Sequence, residues 1–296
     1  MSNNDIFLTE PSNPVPKQSQ PNPFFQLIKG LAYCLLFLMT SASVTFTIMV
    51  WFGLKKTLEE KSKGNSLSPD ELSEYLTKVT YEYSNYQLII YGTLFLLILT
   101  LIFVIRRKNV FQETRIKRFP VRFLPGILLT ATGSILFFNS VLNLLPSSLT
   151  AAYETDSSFV GMGSFAASFI AQALFAPLTE EITFRGLMLT RFQKALPKWL
   201  GILISSFIFG LVHGNLLWAC YTFVLGILLC LVANRTDSIL APFLIHVMLN
   251  AFATILSYYN VAFDPRLFYV FTAAGLALII FGMFLLFRKQ EISPCQ

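Results

Sequence analysis

The run TEEITFRG at residues 179–186 places two adjacent carboxylates and a guanidinium inside an otherwise apolar stretch. A charged side chain near the centre of a bilayer costs from about 2.5 to more than 10 kcal/mol. Glu181 and Arg185 are four residues apart, so on a helix they share one face and can form an ion pair that offsets this cost. Glu180 points about 100° away from Glu181 and has no partner on its own helix. The two glutamates therefore have different predicted roles.

The two histidines of the chain, His213 and His246, also lie inside apolar stretches. Asn250 follows His246 by four residues and therefore shares its helix face. Counting 1.5 Å per residue from the nearest Lys or Arg on one side of the membrane gives depths of about 17 to 22 Å for these side chains and for Glu180. This similar depth predicts that the four side chains meet near the middle of the membrane, where polar groups mainly line cavities or take part in function.

These residue types suit the hydrolysis of a peptide bond by an activated water molecule. Glu180 is the candidate general base, because a carboxylate in a cavity of low dielectric can take a proton from water. His213 would help to hold and polarise that water. His246 and Asn250 would donate hydrogen bonds to the oxyanion of the tetrahedral intermediate, and the glutamate–arginine ion pair would orient these groups.

A metal ion is an alternative means of activating the water. Glu180, His213 and His246 with one water would form a His₂Glu set, which occurs in catalytic zinc sites. The chain has no HExxH helix, and its sequence leaves open whether a divalent metal such as zinc takes part or no cofactor is needed. We favour direct activation of water by the glutamate and the histidine.

The elements that must hold these residues are membrane helices. Of the 296 residues, 54% are hydrophobic and 13% are charged, and the mean hydropathy of +0.62 is typical of an integral membrane protein. Apolar runs long enough to cross about 30 Å of hydrocarbon predict an all-α polytopic bundle of about eight transmembrane helices. The predicted spans are 27–54, 88–105, 121–145, 164–190, 199–214, 217–233, 238–257 and 267–287.

The distribution of charge predicts how the bundle is oriented. Seven of the 22 Lys and Arg residues lie in 106–122, and loops rich in such residues face the cytoplasm. We therefore predict a cell-membrane protein with cytoplasmic N- and C-termini and an outer loop at 55–87. The net charge of +6 then reflects topology, so the expected partners include membrane lipids and no nucleic acid.

The predicted domain organisation has one folded unit. Residues 1–26 form a disordered cytoplasmic tail, polar and proline-rich at its start, without a signal peptide. A transmembrane helical domain covers 27–287, and residues 288–296 form a second cytoplasmic tail. The four cysteines show no zinc-binding spacing, which favours small hydrophobic roles for those in apolar segments.

Three further residues inside the spans have specific interpretations. Asn139 and Asn143, four residues apart in the third span, form either an interhelical hydrogen-bond pair, which we favour, or a contact with substrate. Pro177 lies three residues before Glu180 and removes one backbone donor. We expect it to open the helix locally.

Three short segments resemble the motifs of a known family. EEITFR (180–185), FGLVH (209–213) and HVMLN (246–250) match EExxxR, FxxxH and HxxxN, which occur in this order in the CAAX prenyl endopeptidase and bacteriocin-processing family, also called the Abi family. The resemblance covers about 164–257 and includes Gly186, and it makes this segment the expected catalytic core. It implies catalytic residues at Glu180, Glu181, Arg185, His213, His246 and Asn250.

The resemblance also implies an activity and a substrate. The expected protein is an intramembrane endopeptidase, glutamate-dependent or metal-dependent, that cleaves a membrane-associated peptide or lipidated peptide. That substrate would be either a prenylated CaaX peptide or one of bacteriocin or signal type.

Two other functions are compatible with buried polar residues. Chains of buried glutamate and histidine also occur in proton-coupled transporters, although the sequence shows no inverted repeat. A non-proteolytic immunity or scaffold protein of the same fold would retain the helices without cleaving a peptide. The three complete motifs favour the peptidase.

Overall fold

The computed structural model describes residues 22–158, 164–261 and 263–288. Every regular element in these residues is helical, which confirms the predicted all-α fold. The first half contains α1 (Pro23–Ser62), α2 (Pro69–Glu82), α3 (Ser84–Ile105), α4 (Val110–Glu113), α5 (Leu124–Leu144) and α6 (Ser147–Ser158). The second half contains α7 (165–195), α8 (Lys198–Leu211), α9 (Leu216–Thr236), α10 (Leu240–Tyr259) and α11 (Leu267–Phe287).

The chain is an all-α polytopic membrane protein. Among the described residues, six helices are long and apolar enough to cross a bilayer: α1, α3, α5 with the 3₁₀ turn that precedes it, α9, α10 and α11. The predicted spans at 164–190 and 199–214 coincide with α7 and α8. With 14 residues, α8 is about 21 Å long and does not by itself cover about 30 Å of hydrocarbon. The count of eight spans therefore stays a prediction.

The first helix begins earlier than predicted. Asn22 caps α1 by accepting a hydrogen bond from the backbone N–H of Phe24 over 3.0 Å, so the helix starts at Pro23, whereas the predicted tail ended at residue 26. Proline is favoured at the first helical position, because a backbone N–H there would have no acceptor within the helix. The rest of the predicted N-terminal tail, 1–21, and residues 289–296 of the C-terminal tail lie outside the described residues.

The predicted outer loop at 55–87 is largely helical. α1 continues to Ser62, and Lys56 lies 2.9 Å from Glu60 one turn later, which supports the last turns of the helix. α2 starts from a capping box, in which the side chains of Ser68 and Glu71 each accept a hydrogen bond from the other's backbone N–H. Hydropathy marks the end of an apolar stretch, but a capped and charge-paired helix continues beyond it.

The helix that carries the two glutamates, α7, alternates between two helical forms. Its π-helical segments are Phe169–Phe175 and Glu181–Met188, and its α-helical segments are Phe165–Ser168, Ala176–Glu180 and Leu189–Ala195. π-turns are rare in proteins, and those that occur are often found at functional sites. Each one inserts one residue into the helical register. The register of α7 therefore changes after Phe175, five residues before Glu180, and again immediately after Glu180.

Pro177 opens α7 at one backbone carbonyl. In the first π segment, the N–H of Ala176 donates to the carbonyl of Ala171. Continuing this register would make residue 177 the donor for the carbonyl of Gln172, but proline has no N–H. The Gln172 carbonyl is thus open to a donor from another helix, as the sequence led us to expect near Pro177.

Large aromatic side chains hold α7 in the centre of the bundle. α7 packs against α1, α3, α8 and α10, and every residue of its segment Glu181–Met188 is buried. A core of Phe37, Phe95, Phe184 and Phe209 joins α1, α3, α7 and α8. Within lipid, helices associate through van der Waals packing and not through removal of apolar surface from water, so the fit of these rings sets the rotation of α7.

The connection between α4 and α5 contacts both α7 and α9. Gly186 lies directly against Thr114, where an added Cβ would be 2.5 Å from the carbonyl oxygen. Arg115 donates a hydrogen bond to the carbonyl of Ala233 over 2.8 Å and another to the carboxylate of Asp237 over 3.1 Å. The absence of a side chain at Gly186 is therefore what permits this close approach.

Candidate active site

The carboxylate of Glu181 is the centre of a buried polar cluster. Its Oε1 lies 2.9 Å from Nη1 of Arg185, one turn further along α7, so the predicted ion pair is present. The same oxygen lies 2.9 Å from Nδ1 of His246 on α10. Glu181 and Arg185 are 0% exposed. At this burial each group depends on the others, because an unpaired charge would carry the full cost of desolvation.

Phe209 of α8 forms an apolar support for this cluster. The guanidinium carbon of Arg185 lies 4.1 Å from the centre of the Phe209 ring, which is a cation–π contact. The ring also meets His213 and His246 edge-on, at centroid distances of 4.7 Å and 6.1 Å. The first residue of the FGLVH segment thus touches three of the predicted site residues.

Glu180 lines a cavity of about 460 Å³. His213, His246 and Asn250 line the same cavity, so the predicted meeting of the four side chains occurs. Oε2 of Glu180 lies 3.7 Å from Nε2 of His246, which is too long for a direct hydrogen bond and short enough for attraction to a protonated ring. The two adjacent glutamates therefore face the two different nitrogens of one imidazole.

Acceptor groups define which ring nitrogens of the two histidines carry protons. Nδ1 of His213 lies 2.6 Å from the carbonyl oxygen of Phe209, which can only accept. Nδ1 of His246 lies against the carboxylate of Glu181 in the same way. Both rings therefore donate through Nδ1, and Nε2 is an acceptor when the ring is neutral and a second donor when it is protonated.

The opening in α7 holds Asn250 in place. Nδ2 of Asn250 donates to the carbonyl oxygen of Gln172 over 2.9 Å, the carbonyl that Pro177 cannot serve. Nε2 of Gln172 in turn donates to Oδ1 of Asn85 over 3.0 Å, and Asn85 is buried on α3. One N–H of Asn250 thus fixes its position, and the second N–H remains available to the cavity.

The metal alternative depends on whether three ligands converge on one point. Over the described ranges, no group of three or more His, Cys, Asp or Glu side chains is arranged to hold a metal ion. Glu181, which is itself paired with Arg185, already binds Nδ1 of His246, and Glu180 stands 3.7 Å from its Nε2. Glu180, His213 and His246 line one cavity but do not form such a group, so a metal ion at this set stays a prediction.

The structure separates the two alternatives for Asn139 and Asn143. The favoured interhelical hydrogen-bond pair of Asn139 and Asn143 is wrong, because Asn139 donates to the carbonyl of Ile135 and Asn143 to that of Asn139, each over 2.8 Å within α5. A carboxamide reaches a carbonyl one turn back more readily than a neighbouring helix. Both residues line the cavity, so a contact with substrate remains available to them.

Gln172, Asn85 and Phe209 contribute to the site without having been predicted from the sequence. Phe209 is a defining position of the FGLVH segment, and that position was the available signal for it. Gln172 lies five residues before Pro177, and this spacing identifies the open carbonyl only when the π-helical register is known. Asn85 lies on a different helix and carried no signal.

The fold and the site together define a class of protein: a multi-pass membrane protein with CAAX-peptidase-like motifs gathered around one cavity. Residues 162–252 match the family model described as Type II CAAX prenyl endopeptidase Rce1-like. All six predicted site residues lie inside this segment, and the family is one of proteases. The resemblance predicted from the three motifs is thus confirmed over these residues.

Two curated proteins illustrate the similarity. The "Uncharacterized 24.3 kDa protein" of Escherichia coli is 37% identical over 78 residues, which are 25% of this chain and 36% of that protein. The "Putative membrane peptidase YdiL" of Bacillus subtilis (strain 168) is 30% identical over 116 residues, which are 39% of this chain and 46% of that protein. The matched regions therefore span between a third and a half of these relatives. No solved structure matches the chain.

Proposed function

We propose that the protein is an intramembrane endopeptidase that hydrolyses a membrane-associated peptide with a water molecule activated by Glu180. The observation that carries this proposal is the different environment of the two adjacent glutamates. Glu181 is buried and bound to Arg185 and His246, whereas Glu180 lines the cavity. The match of residues 162–252 to a protease family supports the same function.

In the protonation state that cleavage requires, the charges of the two glutamates, Arg185 and His246 sum to zero. Ionised Glu180 and Glu181 carry two negative charges, and Arg185 supplies one positive charge. A protonated His246 supplies the second, and a neutral group is favoured where the dielectric is low. In this state Nδ1–H of His246 donates to Glu181, and Nε2–H is the donor for a developing oxyanion.

The first step is the attack of water on the carbonyl carbon of the scissile peptide bond. Glu180 takes one proton of the water, and Nε2 of His213 accepts a hydrogen bond from its other O–H. A carbon–oxygen bond forms, and the electron pair of the carbonyl double bond moves to the carbonyl oxygen. Nε2–H of His246 and the second amide N–H of Asn250 donate to this oxyanion, and one such donor contributes about 10²–10³ in kcat.

The second step breaks the carbon–nitrogen bond. The proton held by Glu180 passes to the peptide nitrogen, which leaves as an amine. The electron pair of the oxyanion re-forms the carbonyl of the new carboxylic acid, and Glu180 is again a carboxylate. Water is the only co-reactant, so atoms and charges balance.

The proposed substrate is a peptide at or in the membrane, of the prenylated CaaX class or of bacteriocin or signal type. We assign the protein to the cell membrane with both termini in the cytoplasm. The concentration of basic residues in 106–122 supports this orientation.

Comparative peptidomics of membranes tests the proposed function. The native protein, Glu180→Gln and the control Glu74→Gln, at an exposed position of α2, are produced at equal abundance in otherwise identical cells. Fragments present with the native protein and with Glu74→Gln should be replaced by their intact precursors with Glu180→Gln. Indistinguishable peptidomes of all three cell lines would contradict the proposal.

A further inference from the structure

Two asparagines of α5 stand between the active-site cavity and a second cavity. Asn139 and Asn143 line the first cavity together with Glu180. They also line a cavity of about 540 Å³ between α5, α10 and α11. The remaining lining of this second cavity is mainly apolar and includes four phenylalanines: Phe252, Phe263, Phe268 and Phe271. The asparagines therefore mark the border between a polar and an apolar space.

The two side chains retain hydrogen-bonding capacity on the cavity side. Each Nδ2 donates one hydrogen bond within α5 over 2.8 Å. A carboxamide has two N–H donors and an acceptor oxygen, so each of Asn139 and Asn143 has a second N–H and an oxygen available to the cavity. Asn139 is half-buried and Asn143 is exposed, so both carboxamides can be reached from the cavity. A polar chain that enters the cavity would form hydrogen bonds with these groups.

The spacing of the two asparagines matches an extended peptide. Four residues of an α-helix rise about 6.0 Å, and two residues of an extended chain span about 6.6–6.8 Å. Carboxamides at Asn139 and Asn143 can therefore each meet a peptide group, on alternate residues of a strand that runs along α5. Each carboxamide can donate to a peptide carbonyl and accept from a peptide N–H.

The lining of the first cavity restricts the charge of such a peptide. Among the described residues that line it, the carboxylates and imidazoles are Glu180, His213 and His246, and there is no Lys or Arg. A carboxylate of a bound peptide would be repelled by Glu180, and the protonated His246 of the proposed mechanism is already balanced by the two glutamates that face it. A basic side chain would compete for the Glu180 carboxylate. The cavity therefore suits an uncharged stretch.

We propose that Asn139 and Asn143 are substrate-binding residues, which hold the backbone of an extended, uncharged peptide stretch beside Glu180. An apolar side chain of that stretch occupies the phenylalanine-lined cavity. This inference rests on the proposed peptidase function and names the class of peptide that the site accepts. The backbone hydrogen bonds select an extended conformation, and the apolar cavity selects a large hydrophobic side chain.

Binding to a protein that cannot cleave tests this inference separately from hydrolysis. The full-length Glu180→Gln protein in lipid nanodiscs is titrated with a fluorescent dodecapeptide of alternating Leu and Ala, and empty nanodiscs correct for partition into lipid. A second peptide has esters in place of alternate backbone amides, which removes those N–H donors. The amide peptide should bind roughly tenfold more tightly, as the loss of one or two net hydrogen bonds predicts.

Substitution of the asparagines should remove this preference for amides. With Asn139→Leu and Asn143→Leu combined, the amide-to-ester affinity ratio should fall to about one, because the hydrogen-bonding partners are absent. Asn234→Leu on α9 is the matched control, since Asn234 is half-buried and lines neither cavity; it should keep the ratio. A third dodecapeptide with a central Asp is titrated into the His213→Ala protein, which keeps the Glu180 carboxylate, and should bind there at least about tenfold more weakly than the amide peptide.

The possible results separate this inference from the proposed function. Any of three results would overturn the inference: the double substitution leaves the amide-to-ester affinity ratio unchanged, the amide peptide shows no detectable binding, or the Asp peptide binds as tightly as the amide peptide. If only the proposed function is wrong, the native protein will bind the peptides with the expected affinity ratios. It will release no fragments from them or from any membrane peptide.

Discussion

Glu181 and His246 are joined across two helices, with Nδ1 of the histidine on α10 only 2.9 Å from Oε1 of the glutamate on α7. The same oxygen accepts a hydrogen bond from Nη1 of Arg185, so this carboxylate is occupied on two sides and does not line the cavity. Glu180 is left as the carboxylate of the cavity, 3.7 Å from Nε2 of the same ring. One imidazole thus connects the glutamate that supports the site with the glutamate that we propose to react.

Removing Arg185 should destabilise the fold. Arg185→Gln leaves the buried Glu181 carboxylate with His246 as its remaining partner, and breaking a buried ion pair typically costs about 3–5 kcal/mol. The thermal midpoint of the purified protein in detergent should fall markedly. Arg118→Gln, at an exposed position, is the control and should leave the midpoint within error. Equal midpoints for Arg185→Gln and the native protein would mean that the ion pair does not support the fold.

Phe209 should matter through its contacts with Arg185 and with the two histidines that we propose to be catalytic. Phe209→Leu keeps an apolar side chain but removes the ring that lies 4.1 Å from the Arg185 guanidinium, which should cost about 1–2 kcal/mol. Thermal midpoint and peptide cleavage should both fall. Phe207→Leu on the same helix is the matched control, because Phe207 is 56% exposed on the outside of the bundle. If Phe207→Leu lowered the thermal midpoint and cleavage as much as Phe209→Leu, a specific role for Phe209 would be contradicted.

Gly186 should not tolerate a side chain. A Cβ at Gly186 would lie 2.5 Å from the carbonyl oxygen of Thr114, which is backbone and cannot rotate away. Gly186→Ala should therefore lower the yield of folded protein and the thermal midpoint, by an amount in the range of overpacking, about 1–3 kcal/mol. Gly53→Ala is the comparison, since its nearest neighbour is a Leu76 side-chain atom at 3.5 Å. A midpoint for Gly186→Ala as high as that for Gly53→Ala would show that the close approach is not required.

The contacts predicted best from the sequence lie within one helix. The pairing of Glu181 with Arg185 follows from a spacing of four residues, because this spacing places both on one face whatever surrounds the helix. The separation of Glu180 from that pair follows from the same geometry. The gathering of Glu180, His213, His246 and Asn250 at one cavity followed from their similar depth, a single coordinate that the sequence of a membrane helix does encode.

Contacts between helices depended on packing that spacing does not encode. The bond from His246 to Glu181 requires one rotation of α10 relative to α7, which depth alone cannot determine. The bond from Asn250 to the Gln172 carbonyl requires a π-turn, and a single inserted residue leaves no mark in the hydropathy of a helix. The span predicted to residue 214 ends earlier in the structure, because α8 stops at Leu211 and His213 lies in the turn that follows.

The stability of the protein should depend on the ionisation of Asp237 at low pH. A hydrogen bond from Lys117 and the charge of Arg115 hold the pKa of this carboxyl below its ordinary value of 3.8, although burial acts in the opposite direction. A group whose pKa is lower in the folded state stabilises the fold above its unfolded pKa, and this contribution is lost as the pH falls through the folded pKa.

The variant Asp237→Asn measures this contribution, and asparagine suits the left-handed backbone of the residue, whose φ is 50°. The difference in thermal midpoint between native and Asp237→Asn protein should be constant from about pH 5.5 to 7 and should shrink below about pH 4. A difference that stayed constant down to about pH 2.5 would contradict a depressed pKa of Asp237.

The central claim is that Glu180 reacts and that Glu181 supports the site. The most direct measurement compares purified Glu180→Gln and Glu181→Gln side by side, for thermal midpoint and for cleavage of a membrane peptide that the native protein processes. Glu180→Gln should keep the native midpoint and lose cleavage by ~10² or more, because its shape is retained and the base is removed. Glu181→Gln should lose both stability and cleavage, because a buried ion pair is broken. An active Glu180→Gln beside a fully stable but inactive Glu181→Gln would contradict the account and reverse the two assignments.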